Sequence, residues 1–390
     1  MHEYVLPFGP QHPALLEPLH IRLKVEGETI VDSDISLGYN HKGIEKSFEN
    51  RWWAKGVYLS ERVCGICGHY HTSCYCQGVE NLLKLEIPER ANYIRVIVGE
   101  IERIHSHLLA LGVVAYEMGF DTLFHYIFRD RELVMDLQEL LTGNRVHFAM
   151  NVIGGVRKDI NLEQIRRVEE NLEKIEERCH YYIKLFKNDA SIKRRIRHVG
   201  FLPKSKAKEL NPVGPNIRAS GIHYDVRETG YFAYKDLNFR MVTGEGGDVL
   251  ERCLVRFKEC IESLRLVQEC LLKLPKGEIK TNLPHLIKIK EGLETVSRVE
   301  APRGELIYYL KSGGDRPYRV KIRTPTYQTF HILGEILRGY EIPDVPVIIA
   351  SIDPCISCAD RVTVVNVKTE EERVLTKEEM RKMGREKNDR

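Results

Sequence analysis

Two Cys-x-x-Cys pairs near opposite ends of the chain restrict its possible folds more than any other feature. They are Cys64-Gly65-Ile66-Cys67 and Cys355-Ile356-Ser357-Cys358. A CxxC turn brings two sulfurs to one point, and two such turns can offer four soft thiolates to one metal. Soft thiolates select zinc, Cu(I), iron-sulfur clusters or nickel over hard cations. If both pairs serve one site, the chain must return across most of its length to close it. Zinc ribbons place their pairs about 15–20 residues apart, whereas here most of the fold lies between them. Three bland readings stay open on the pairs alone. One is a structural four-cysteine zinc site. Another is a thioredoxin-like redox pair, although neither CxxC sits in a βαβ context. The third is a cluster built from Cys64, Cys67, Cys74 and Cys76, which leaves the second pair unused.

With 390 residues, 43% of them hydrophobic, the chain can bury a large core as one big domain or two closely packed ones. The start, MHEYVLPFGP, has no basic region followed by an apolar stretch, so no signal peptide is expected. No run of apolar residues is long enough to cross a membrane, so any membrane association is expected through partners. Ten cysteines in such a chain imply metal ligation or burial rather than disulfides. A net charge of +3, from 59 basic and 56 acidic residues, gives no basis for nucleic-acid binding.

Residues 4–37 alternate loosely and predict a small sheet with a turn at Glu26-Gly27-Glu28. Beyond it the pattern is helical. Pro88 opens one helix, on which Ile94, Ile97, Ile101, Ile104, Leu108 and Leu111 fall at helical spacing. A second helix covers 122–142 and ends at Gly143. A third begins after Asp159, and a fourth spans about 247–273. Residues 195–245 read as loops over the bundle. Residues 302–352 hold short strand-like pieces such as ELIYYL and VPVIIASI. The predicted fold is therefore mainly α, a long-helix bundle with a small N-terminal β-sheet. The expected organisation is a β-rich segment over 1–50, a helical catalytic domain over 51–361, and a charged tail over 362–390.

The flanks of the cysteine pairs carry more information. The first reads ERVCGICGHYHTSC, with Arg62 before the pair and His71 four residues after Cys67. The second reads SIDPCISCADR, with Asp353-Pro354 before it and Arg361 closing it. These segments closely resemble the two signatures of nickel-iron hydrogenase large subunits. The resemblance extends through FGPQHPALLEP, GYNHKGIEK, ERIHSHLLALG, GNRVHFAMNVIGGVRKDI, EAPRGE and KIRTPT. Its wording is similar to the membrane-bound, energy-converting branch, which includes Ech-type, CO-linked and formate-hydrogenlyase enzymes. The GPQHP segment is shared with the quinone-site subunit of complex I, the 49 kDa subunit.

That resemblance implies a fold of the nickel-iron large-subunit type and reversible conversion of protons and electrons to H2. It implies that Cys64 and Cys355 are terminal nickel ligands, and that Cys67 and Cys358 bridge nickel to an iron carrying CO and cyanide. Splitting H2 heterolytically needs a Lewis acid and a nearby base. The resemblance gives the base role first to Cys355 and then to Glu17, in ALLEP, as proton relay. It places Arg303 over the open metal position with Pro302 and Asp353, and His71 on a bridging thiolate. Glu45 matches a residue that helps hold a magnesium or iron ion. Its usual C-terminal histidine partner is replaced here by Arg361, so that ligand set is incomplete. Where many uptake hydrogenases carry an acid, this chain has Ser106.

Cys74, Cys76, Cys179, Cys253, Cys260 and Cys270 have no cluster spacing, and core packing accounts for them. The chain is therefore expected to need a small cluster-bearing subunit. The resemblance also implies membrane-embedded ion-translocating subunits, an electron donor such as ferredoxin or a formate or CO dehydrogenase module, and a maturation protease that cuts after Arg361. It implies a peripheral position on the cytoplasmic face of the membrane. Two other readings stand beside it: a complex-I-like quinone-binding or coupling subunit, and a zinc-stabilised scaffold.

Overall fold

The computed structural model describes residues 3–360, together with 364–365, 372–373 and 382. Arg361 and, apart from those five positions, the expected tail over 362–390 lie outside the described residues.

The chain opens with an antiparallel sheet of three strands: β1 (Glu3–Phe8), β2 (His20–Glu26) and β3 (Thr29–Ser36). Strand β2 alternates, burying Ile21, Leu23 and Val25 and exposing the residues between. The β2–β3 turn falls at Gly27, whose φ of 66° is left-handed and favours glycine. Strand β3 is tied to a distant segment by backbone bonds between Ile30 and Gly339–Tyr340.

Five long helices form the body: α1 (Gly68–Leu83), α2 (Glu89–Glu117), α3 (Asp121–Thr142), α4 (Leu162–Asn188) and α5 (Val249–Lys273). Helix α2 is central and packs on both α3 and α5, while α4 packs on α5. The predicted isoleucine stripe of α2 is buried, and so is most of its opposite face. Burial on all sides is the pattern of a core helix, not of a surface one. Pro88 is its N-cap and Glu89 places an acid in its first turn. Helix α3 stops at Gly143, which adopts φ 87°. Helix α4 starts with a capping box between Asn161 and Gln164. It buries Val168, Leu172, Ile175, Cys179, Tyr182 and Phe186 along one stripe.

A second antiparallel sheet packs against α1: β4 (Glu294–Ala301), β5 (Gly304–Ser312) and β6 (Pro317–Arg323). Of the two strand-like pieces read from the sequence, ELIYYL is β5. VPVIIASI is instead a helix, α6 (Val345–Ser351), packed on α2 and α5. A short apolar run rich in β-branched residues cannot be assigned by periodicity alone, and Pro346 in its first turn was the available helix signal. A four-residue helical turn, α7 (Ile356–Ala359), follows Cys355. The span 195–245 is mostly loop, interrupted by short helices at Lys204–Leu210 and Pro215–Arg218.

Buried apolar residues gather in two regions. One joins the inner face of the N-terminal sheet to the long helices. The other surrounds the paired cysteines and is walled by α1 and the second sheet.

Candidate metal centre

The two CxxC pairs meet. The sulfurs of Cys64 and Cys355 are 3.4 Å apart, and those of Cys64 and Cys67 are 3.2 Å apart. The sulfurs of Cys64, Cys355 and Cys358 lie within 4.8 Å of one another, as do those of Cys64 and Cys67 with an imidazole nitrogen of His71. All five residues are buried. Local structure aims them. Cys67 is the N-cap of α1 and Cys355 that of α7, so each loop turns directly into a helix. The Cys64 sulfur accepts the backbone N–H groups of Ile66 and Cys67, both at 3.4 Å. The Cys355 N–H donates to Thr326 Oγ1 at 3.1 Å.

Hydrogen bonds from Cys355, Cys358 and Cys67 hold the Cys64 thiol well below the usual thiol range. Cys67 is pushed well above it, first by its bond to Cys64 and then by burial. Cys355 is pushed up by its contacts with Cys358 and Cys64. One thiolate forms readily, and its neighbours resist further negative charge. A multivalent cation would let all four ionise together, so this donor set fits a soft metal.

Arg303 and Pro302 form the two-residue turn between β4 and β5. The buried guanidinium donates to the Asp353 carbonyl through Nε at 2.8 Å and to Asp353 Oδ1 through Nη2 at 2.6 Å. Its Nη1 donates to Ser106 Oγ on α2 at 3.1 Å. Burial opposes its charge, but Asp353 and the nearby sulfurs more than offset this, so the guanidinium stays charged. Asp353 is at φ 56°, and its buried Oδ2 has no hydrogen-bond partner among the described residues.

His71 projects from α1. Its Nδ1 pairs with the Tyr308 hydroxyl at 2.8 Å, and its buried Nε2 has no hydrogen-bond partner among the described residues. Burial lowers its pKa to about 4, so the ring is neutral. Tyr308 had no sequence signal, because its role depends on the register of β5 against α1. Glu102 was also unsignalled: its buried carboxylate accepts the His69 and Tyr70 N–H groups at 3.0 and 3.4 Å, at the start of α1.

Glu17 lies in the β1–β2 connection, half-buried, and its Oε2 accepts the Ser357 N–H at 2.9 Å. It borders a largely apolar cavity of about 130 Å³, also lined by Ile66, Val113, Arg303, Asp353 and Ile356. Glu45 sits on the short helix Ile44–Phe48, where it accepts the Ile322 N–H at 2.9 Å and approaches Arg319 at 3.7 Å. It belongs to neither group of potential metal ligands found among the described residues. Cys74 lies against Ser297 and the Leu306 carbonyl, and burial pushes its thiol up to about 12.

The family described as the 49 kDa subunit of the respiratory-chain NADH dehydrogenase matches residues 117–293 and 285–361. The nickel-dependent hydrogenase family matches residues 42–112. The alpha subunit of the membrane-bound hydrogenase of Pyrococcus furiosus is 42% identical, over 98% of this chain and 92% of its own. The chain belongs to the family that unites membrane-bound nickel-iron hydrogenase large subunits with the complex I 49 kDa subunit. Within this large-subunit family, the carbon monoxide-induced hydrogenase of Rhodospirillum rubrum is 40% identical, over 93% of this chain and all of its own length. A chain of the membrane-bound sulfane sulfur reductase, an archaeal respiratory membrane complex, has the same fold. It superposes with a TM-score of 0.87 at 33% identity, covering 92% of this chain and 98% of the other. No helix among the described residues of this family member is long and apolar enough to cross a membrane.

Proposed function

We propose that this chain is the catalytic subunit of a membrane-associated, energy-converting hydrogenase that interconverts 2H+ + 2e− and H2. The observation that carries the proposal is the convergence of four buried sulfurs, from two loops near opposite ends of the chain, beside a charged arginine. Cys64, Cys67, Cys355 and Cys358 would hold a nickel-iron pair whose iron carries CO and cyanide; bound there, it would supply the Lewis acidity and redox capacity for heterolytic H2 chemistry.

The protein's own groups have distinct tasks. Arg303 is fixed by its bonds to Asp353 and Ser106, and it keeps a positive charge over the sulfurs. His71 is neutral, and in the tautomer where Tyr308 donates to Nδ1 its Nε2–H can donate to a sulfur. Cys355 would take up the first proton. Glu17, held against the backbone two residues beyond Cys355, would pass it outward along the cavity wall. Glu45 is engaged with β6, so a magnesium ion there would need additional ligands.

Among the described residues, no other thiols gather into a set that could hold a cluster. Electrons would therefore reach the site through a small iron-sulfur subunit, fed by ferredoxin or by a formate or CO dehydrogenase module. Membrane-embedded ion-translocating subunits would anchor the assembly at the cytoplasmic face, and a maturation protease would remove the tail after Arg361.

The 49 kDa match over 117–361 supports a second reading, a quinone-binding or coupling subunit without hydrogenase activity. Elemental and infrared analysis of the purified complex separates the two. Nickel, iron and diatomic-ligand bands, all lost in Cys358→Ser together with H2 evolution, are expected. Zinc alone, or no metal with quinone reduction intact, would refute the proposal.

A further inference from the structure

Lys42, between β3 and the Ile44–Phe48 helix, reaches both cysteine loops. Its Nζ donates to the carbonyls of Arg62, at 3.2 Å, and Val63, at 2.9 Å, the two residues immediately before Cys64. The same ammonium donates to Ser357 Oγ at 2.8 Å, inside the second CxxC. An ammonium has three protons, and each has an acceptor here.

The neighbours of Lys42 in the N-terminal region also grip the second loop. Glu17 accepts the Ser357 N–H. The Asp360 carboxylate, two residues after Cys358, accepts the Gly38 N–H at 3.1 Å and the Asn40 N–H. On the other side, Thr326 accepts the Cys355 N–H, and the Thr324 hydroxyl donates to the Cys358 carbonyl at 3.2 Å. Of these groups, only Lys42 bonds to both loops. Its bonds carry a full charge, which strengthens them, while the exposure of the side chain to water screens them.

We propose that Lys42 is a positioning residue that joins the two cysteine loops into one metal-holding unit, keeping Cys355 and Cys358 in register with Cys64. The proposal rests on the metal-centre reading above, but its test does not depend on which metal is bound. Lys42→Met keeps an unbranched apolar stem, one heavy atom shorter, and removes all three donors. Lys42→Arg keeps charge and donors.

The measurement is amide hydrogen exchange over residues 355–360 in the assembled complex. Lys42→Met is expected to accelerate it at least about tenfold, about 1.4 kcal/mol, with Lys42→Arg close to wild type. In the metal-loaded complex, Lys42→Met is also expected to shift or broaden the infrared bands of the diatomic ligands. Should Lys42→Met fail to assemble, Ser357→Ala removes a single acceptor and is expected to accelerate the same amides to a smaller extent. Wild-type exchange over 355–360 in Lys42→Met, or in Ser357→Ala where that variant stands in, overturns the proposal. A wild-type complex without nickel would remove the hydrogenase reading, and the exchange result would still decide the role of Lys42.

Discussion

The Arg303 guanidinium grips Asp353 twice, through its carbonyl and its carboxylate, so the β4–β5 turn is fastened to the residue two positions before Cys355. The third contact, to Ser106, ties the same side chain to α2. Two elements remote in sequence, the β4–β5 turn and α2, are thus fixed relative to the second cysteine loop by one planar group. Asp353 is in the left-handed region, where aspartate is tolerated better than most residues. The interlock with Arg303 is what the structure offers to hold it there.

Arg303→Lys should therefore fail despite conserving charge. A lysine cannot reproduce the fork that reaches the Asp353 carbonyl, the Asp353 carboxylate and Ser106 at once. Asp353 would be left underpaired in a buried site, and breaking such a pair costs about 3–5 kcal/mol. Thermal unfolding should shift down, and H2 evolution from a reduced dye should fall at least about a hundredfold. Near-normal values for both would show that charge alone suffices.

Glu17→Gln should separate proton transfer from structure. The amide oxygen can still accept the Ser357 N–H, so the loop stays held. It cannot cycle a proton. We expect H2 evolution and H/D exchange to fall by about a hundredfold, within the usual range for losing a general acid or base. Bound metal should stay at the wild-type level. An unchanged exchange rate would take Glu17 off the proton path.

The long helices could be read from the sequence because their buried stripes recur at helical spacing and their ends carry local signals, as at Pro88 and Gly143. The N-terminal hairpin could be read because β2 alternates and Gly27 marks its turn. The cysteine loops were visible as motifs. Lys42 and Tyr308 were not, since each acquires meaning from a partner more than two hundred positions away, Ser357 and His71 respectively. Glu100, Arg103, Arg218, Asp225, Arg227, Glu259 and Glu300 were missed as well, although their partners lie nearer in sequence. In sequence they look like solvated charges, yet all are buried. Only the tertiary fold shows that they pair with one another.

That buried network yields a further expectation. Arg218 donates to Glu259 at 2.9 Å, to Glu300 at 2.8 Å and to the Tyr224 carbonyl at 2.9 Å, and it lies 3.1 Å from Asp225. Arg218→Met would leave three carboxylates facing one another without their shared cation. The loss should be at least about 3–5 kcal/mol, the range for breaking a single buried pair. Urea unfolding of the complex should show it as a lower midpoint, or the subunit should fail to accumulate. A midpoint equal to wild type would mean that the network contributes nothing to stability.

Acid should destabilise the protein through its buried histidines. Burial lowers the pKa of His107 from 6.5 to about 4, even though Glu259 accepts from or pairs with its Nε2 at 2.9 Å. His69, bonded to the Arg95 carbonyl, is lowered to about 4 for the same reason. Between these values the unfolded chain binds protons that the folded chain does not, so stability rises with pH in that window. The contribution is fully present above about 6.5 and is lost as pH falls towards 4, on the order of 3 kcal/mol per histidine. Glu102 and Glu300, raised by burial, act in the opposite sense, so wild-type behaviour alone is not diagnostic. The decisive comparison is His107→Gln, whose amide can still donate to Glu259 but cannot titrate. Its unfolding temperature should fall less steeply than that of wild type between pH 6.5 and 4.5. Identical slopes would show that His107 does not resist protonation in the folded protein.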